Sequence, residues 1–292
     1  MARRRLGART QSGKPKPTMR AQLLGQGLRQ LREDNDMTTE EVGQYLQCDA
    51  STVSRFETGI YPARTPDVHA LMALFGVQDA TQREFFLKLS RDVVEPGWWD
   101  QYSEDLDTTL IDLAWIEARA QRISSFHQIV VPGLLQTQGY ATATITAATL
   151  NPDQVTTGIE LRTDRQKVLD RKPPLRYSAI LDEAALRRLV GGPAVMREQL
   201  AHLVDLARKS TVDIRVVPLT AGAHASPDSS FYICEMTEPF PPVGYTDTLA
   251  GALYVEADTL AMFKNVWDRL RAAALNERES IALIEAAAKD LE

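Results

Sequence analysis

The chain has 292 residues, 44% of them hydrophobic and 25% charged, with a formal net charge of −6. That length accommodates two domains, and the composition is that of an ordinary globular protein rather than a fibrous or disordered chain. No window offers the run of roughly 18 apolar residues that a membrane span needs. No apolar segment follows the basic N-terminus as a secretory signal would require, so a cytoplasmic protein is expected.

Charge is unevenly spread. Residues 1–78 carry 11 Lys and Arg against 8 Asp and Glu, and residues 79–292 carry 22 against 31. Residues 1–18 hold most of the early positive charge, with Arg, Lys, Gly, Ser and Pro and almost no apolar content. A basic disordered arm is expected there, either lying along DNA phosphates or serving only solubility. From Arg20 to Asn35, Leu24, Leu28 and Leu31 recur at helical spacing. The GQG at residues 25–27 is no nucleotide loop, because no strand precedes it.

Thr38 to Gly59 predicts two short helices joined by a tight turn. Thr38 and Glu41 have the spacing of a capping box, and Val42 and Leu46 share one face. Gln47-Cys48 forms the turn and Asp49 is placed to cap the second helix. There Val53 and Phe56 point inward, which leaves Ala50, Ser51, Thr52, Ser54 and Arg55 outward. Gly59 ends the helix. A small polar face with one arginine on a short helix suits a DNA major groove.

The stretch T-T-E-E-V-G, a short turn, S-T-V-S-R-F-E-T-G and then Pro66 resembles the Xre-type helix-turn-helix regulators. Two positions depart from that family's pattern: Gln47 stands where Gly is usual in the turn, and Thr39 where Gln is usual. The resemblance implies base contacts by Ala50, Ser51 and Arg55. It implies backbone contacts by Thr39, Asp49 and Thr52, with Arg64 of the following loop as a phosphate contact or a solvated arginine. Double-stranded DNA would be the partner, bound by a homodimer.

A fourth helix is expected from Pro66-Asp67, with Val68, Leu71, Met72 and Phe75 in the core, and a fifth from Thr81, with Phe85, Phe86 and Leu89 inward. Five helices over residues 19–94 would complete a repressor-like DNA-binding domain. Glu95-Pro96-Gly97 breaks the chain, and Trp98-Trp99-Asp100 begins or anchors a second domain over residues 97–292. Helices are expected at about 106–119, 138–150, 152–170, 183–190, 193–207, 257–275 and 277–291. Strands are expected at 122–128, 176–181, 212–217, 231–236, 244–246 and 252–255. Helices around a small, mostly antiparallel sheet make the second domain α+β.

This second part carries W-W-D, W-I-E-A-R-A, V-P-G-L-L-Q-T-x-x-Y-A, R-Q-x-V-L-x-R, L-D-E-A-A-L-R and A-L-Y-V-E. The set resembles the domain that follows the Xre head in a large actinomycete regulator family described as antitoxin-like. The resemblance implies a small partner protein encoded nearby but no biochemical activity, so dimerisation, signal sensing or capture of that partner are the roles expected of this domain. The last reading makes the chain mainly a protein-interaction module.

Signals for chemistry are weak. His69, His127, His202 and His224 form no metal pair, so no metal or cofactor is expected. His224, Ser226 and Asp228 crowd one loop without a nucleophile elbow, so no catalytic residue is assigned and the chain reads as a non-enzyme. Cys48 and Cys234 read as reduced thiols. Glu160, Asp164 and Asp170 interleave with Arg162, Arg165, Lys167 and Arg171, which favours an ion-paired, solvated helix face over a site for an acidic partner. Leu260, Phe263, Trp267, Leu270 and Ala274 form an apolar seam, as do Ile281, Ile284, Ala288 and Leu291. Each fits either the protein's own sheet or a partner helix.

Overall fold

The computed structural model describes residues 17–149, 151–248, 251–255 and 257–291. The arm expected at residues 1–18 therefore falls almost wholly outside the described residues. Its last residue is described and belongs to the helix: the Thr18 hydroxyl accepts from Ala21 N–H at 3.3 Å. The chain divides into two compact units between Pro96 and Gly97.

The N-terminal unit is helical: α1 (Met19–Asp34), α2 (Thr39–Leu46), α3 (Ala50–Glu57), α4 (Thr65–Leu74) and α5 (Ala80–Val94). The helical spacing read from the sequence puts Leu24, Leu28, Val42, Val53, Phe56, Val68, Met72 and Leu89 in one buried core. Burying each such side chain contributes about 1.5–3 kcal/mol, which outweighs the intrinsic helix cost of Gly25 and Gly27 in α1.

The C-terminal unit runs α6 (Thr108–Arg119), β1 (Ala120–His127), α7 (Gln138–Ala148), α8 (Pro152–Gln166), β2 (Arg176–Asp182), α9 (Glu183–Arg187), α10 (Pro193–Ala207) and β3 (Val212–Val217). Then come β4 (Phe231–Met236), β5 (Val243–Thr248), β6 (Gly251–Val255), α11 (Ala257–Ala273) and α12 (Glu277–Lys289). The strands form one sheet in the order β3-β2-β1-β4-β5-β6. The β1-β4, β4-β5 and β5-β6 pairs are antiparallel, whereas β1-β2 and β2-β3 are parallel. The sheet is mostly antiparallel, as expected, in three of its five described pairings, and the antiparallel part is β1-β4-β5-β6. In the other part, two helical crossovers return the chain in the same direction.

The α11 seam packs on this protein's own sheet. Leu260, Trp267 and Leu270 join Phe126, Ile180, Val217, Phe231 and Ile233 in one cluster. In α12 the buried face is Ser280, Ile284 and Ala287, one helical step from the expected Ile281 and Ala288. That face meets α10 and β3, and Ser280 Oγ accepts from Val216 N–H at 3.0 Å.

Several of the sequence motifs form one buried framework. Arg165 of α8 grips Glu117 of α6 through two bonds of 2.7 Å, with both side chains almost fully buried. Burial opposes a buried guanidinium's charge, but the paired carboxylate outweighs it and holds Arg165 above its ordinary range. Arg119 lies over the Trp99 and Trp115 rings at 5.1 and 5.0 Å. Arg171 donates to the carbonyls of Ala118 and Ala120. The ion-paired solvated face expected for Arg162–Arg171 is therefore reduced to Lys167, which bonds Asp164 at 2.6 Å, and Asp170, which pairs with Lys209 at 2.7 Å. Arg165 turns inward because positions 161, 165 and 168 share the stripe that α8 and the turn after it bury.

Candidate nucleic-acid interface

The start of α2 is fixed by the expected reciprocal cap. Thr38 N–H donates to Glu41 Oε2 at 2.8 Å, and Glu41 N–H donates to Thr38 Oγ1 at 3.2 Å. The Thr38 N–H, and next the Thr38 hydroxyl donating to the same oxygen at 2.9 Å, hold the Glu41 carboxyl below the usual range. The turn after α2 is made by Gln47 in the left-handed conformation, φ 55° and ψ 43°. Its geometry is the one a glycine adopts, completed by Cys48 N–H to Gly43 O at 2.8 Å. The departure at this position therefore leaves the turn in its usual shape and stores strain in one residue.

Asp49 takes the N-cap position of α3 with extended backbone, but its side chain makes no capping bond. It is exposed, and so are Ser51, Ser54 and Arg55, while Ala50 and Thr52 are half-buried. Val53 and Phe56 hold the opposite face in the core. Arg55 lies back along its own helix, Nε donating to Ser51 O at 3.1 Å and Nη2 to Thr52 Oγ1 at 3.1 Å. These weak local bonds are readily exchanged for contacts to a ligand. The helix ends at Glu57, and Gly59 at φ 71° turns the chain away.

Thr39 is half-buried at the first turn of α2, its hydroxyl on Glu40 Oε2 at 3.2 Å. Arg64 is exposed and bonds Asp67 at 3.3 Å. Both belong to the same unit as α3. The Cys48 thiol is pushed up, mainly by burial and then by Asp49, so it is a poor nucleophile.

Two interactions that hold α3 carry no local sequence signal. Arg32 of α1 binds Glu57 at the end of α3 and also donates to Met37 O at 2.7 Å. At Gly25 of α1 a Cβ would stand 2.5 Å from the carbonyl oxygens of Phe56 and Glu57, so only glycine lets α1 and α3 approach this closely.

Residues 23–85 match a family described as "Helix-turn-helix domain". Residues 110–286, more than half of the chain, match the family described as "Domain of unknown function (DUF5753)". The chain belongs to the DUF5753 family. No curated protein and no solved structure matches it.

In this DUF5753 chain the crowded loop between β3 and β4 is not a triad. Ser226 Oγ donates to Ser229 O at 2.8 Å, and His224 Nε2 meets Asp182 at 3.2 Å rather than Asp228. The contact between Ser226 and His224 runs from the serine's backbone N–H to Nδ1 at 3.3 Å, which does not activate the hydroxyl. Among the described residues no group of three His, Cys, Asp or Glu is arranged to hold a metal. Among them, too, no helix is long and apolar enough to cross a membrane.

Proposed function

We propose that the protein is a sequence-specific transcriptional regulator of the Xre type, cytoplasmic, that binds double-stranded DNA through α3. The observation carrying this reading is the exposed polar face of Ser51, Ser54 and Arg55 on a short helix clamped from behind by α1 and α2. Ala50, Ser51 and Arg55 read base edges in the major groove, and Thr39, Asp49, Thr52 and Arg64 lie beside the phosphate backbone. One short helix makes too few contacts for specificity, so two copies bind half-sites about one helical turn apart. The 97–292 domain serves dimerisation, signal sensing or a small partner protein, as in the antitoxin-like regulators it resembles.

Selection of bound fragments from a random DNA pool tests the reading. A recurring site with two half-sites is expected, and Arg55→Ala should relax preference at one base pair by roughly 1–3 kcal/mol. A uniform loss across all sequences would make Arg55 a phosphate contact instead. No enriched site, together with a stably co-purified small protein, would favour the partner-binding reading.

A further inference from the structure

In the C-terminal unit a cavity of about 450 Å³ is lined by Leu110, His127, Gln136, Thr144, Arg162 and Tyr232, among others. A second hollow of about 390 Å³ shares Leu110, Thr144 and Arg162 with it and adds apolar walls from Ile145, Ala148 and Leu161. Both volumes are in the range of small-molecule sites.

Two cationic side chains reach this space, and they differ. Arg165 is neutralised by Glu117. Arg162 has no ion pair among the described residues, and its guanidinium donates to the Gln136 amide oxygen. Burial pulls it down to about 10. The turn of the V-P-G-L-L-Q-T motif packs against this group. At Gly133 a Cβ would stand 2.9 Å from the Arg162 Nη1 atom, so glycine leaves the guanidinium its place. Gln136 is held by its own bond to Val131 O at 2.7 Å, and Gln166 fastens the turn through Gly133 O and Gln136 O at 3.0 and 2.7 Å. A framework of this kind positions a cation that the fold itself leaves without a counter-charge.

His127, at the end of β1, stands on the same wall. It is buried, and its Nε2, closed off from the cavity, has no hydrogen-bond partner among the described residues. Native proteins rarely leave such an atom unsatisfied. The rim carries Asp228 and Asp247, both exposed, which disfavour a multiply charged anion.

We propose that this cavity binds a small organic monoanion, its carboxylate received by Arg162 and its apolar body by Leu110, Ile145 and Leu161. The proposal deepens the signal-sensing half of the function proposed above, but binding itself requires no DNA.

Thermal unfolding of the full-length protein without DNA tests it, with acetate, butyrate, benzoate and phenylacetate as probes. Benzamide and phenylacetamide serve as neutral isosteres, and inorganic phosphate as the competing anion. At least one carboxylate should raise the midpoint by several degrees in a saturable way, while its amide and phosphate do not. Arg162→Met should remove that response and unfold no lower than the parent in the absence of probe. The proposal is overturned if no carboxylate of the series acts, or if amides act equally. It is overturned too if phosphate alone acts, or if Arg162→Met responds like the parent. A carboxylate that binds without changing affinity for the selected DNA site would remove the sensing role and leave the site standing.

Discussion

Arg32 and Glu57 form a two-pronged ion pair between α1 and the end of α3, Nε to Oε1 at 2.6 Å and Nη2 to Oε2 at 3.1 Å. The side chains are only 13% and 9% exposed, so the pair lies between a surface bridge and a buried one. Glu57→Gln leaves the guanidinium with a neutral partner. It should cost about 2 kcal/mol in the chemical unfolding of the helical unit. DNA affinity should fall with it, since Glu57 anchors the end of α3 without lying on its exposed face. Unchanged stability would make the pair incidental.

Gln47 offers the opposite case. A non-glycine residue at φ 55° and ψ 43° costs about 1 kcal/mol in strain, and its side chain is exposed. Gln47→Gly should therefore raise stability only slightly, by up to about 0.5 kcal/mol after the added flexibility of the unfolded chain is counted. A midpoint that falls instead would show the Gln47 side chain making a stabilising contact that outweighs the strain.

The helices of both units were legible because their signals are local: a cap at Thr38, heptad-like leucines in α1 and a glycine after α3. What stayed hidden depends on residues far apart in sequence. Arg32 is separated from Glu57, and Glu117 from Arg165, by whole elements, and nothing in either neighbourhood names the partner. The parallel pairs β1-β2 and β2-β3 could have been read from the helices between those strands. Arg162 and Arg165 looked solvated because acids alternate with them in sequence, although positions 161, 165 and 168 share a buried stripe. His127 looked like any lone histidine, because an unpartnered nitrogen can be seen only once the walls around it are in place.

Glu117 and Arg165 bond at 2.7 Å through both oxygens at 1% and 3% exposure. Here one partner cannot be removed cheaply. Glu117→Gln strands a buried cation and should destabilise the C-terminal unit by about 3–5 kcal/mol in urea. Replacing both residues together, Glu117→Leu with Arg165→Met, should recover most of that loss. If the double variant is no better than the single one, the pair's value lies in hydrogen bonds to its surroundings rather than in charge balance.

His127 gives the fold an acid-side weakness. Burial depresses its imidazole to about 3, with the Tyr232 ring packed against it at 5.0 Å and Arg162 and Arg165 lining the same cavity. The unfolded chain takes up this proton near pH 6.5, whereas the folded chain does not until about pH 3. Stability from His127 is therefore complete above pH 6.5 and declines as pH falls through the window between those values. From pH 7 to pH 5 the loss from this one group is about 2 kcal/mol. His127→Phe keeps a ring against Tyr232 and removes the titration, so its urea midpoint should vary less over that range than the parent's. Parallel curves for the two proteins would mean that His127 already takes up its proton in the folded state, with water or a counter-charge reaching the Nε2 that lies unpartnered here.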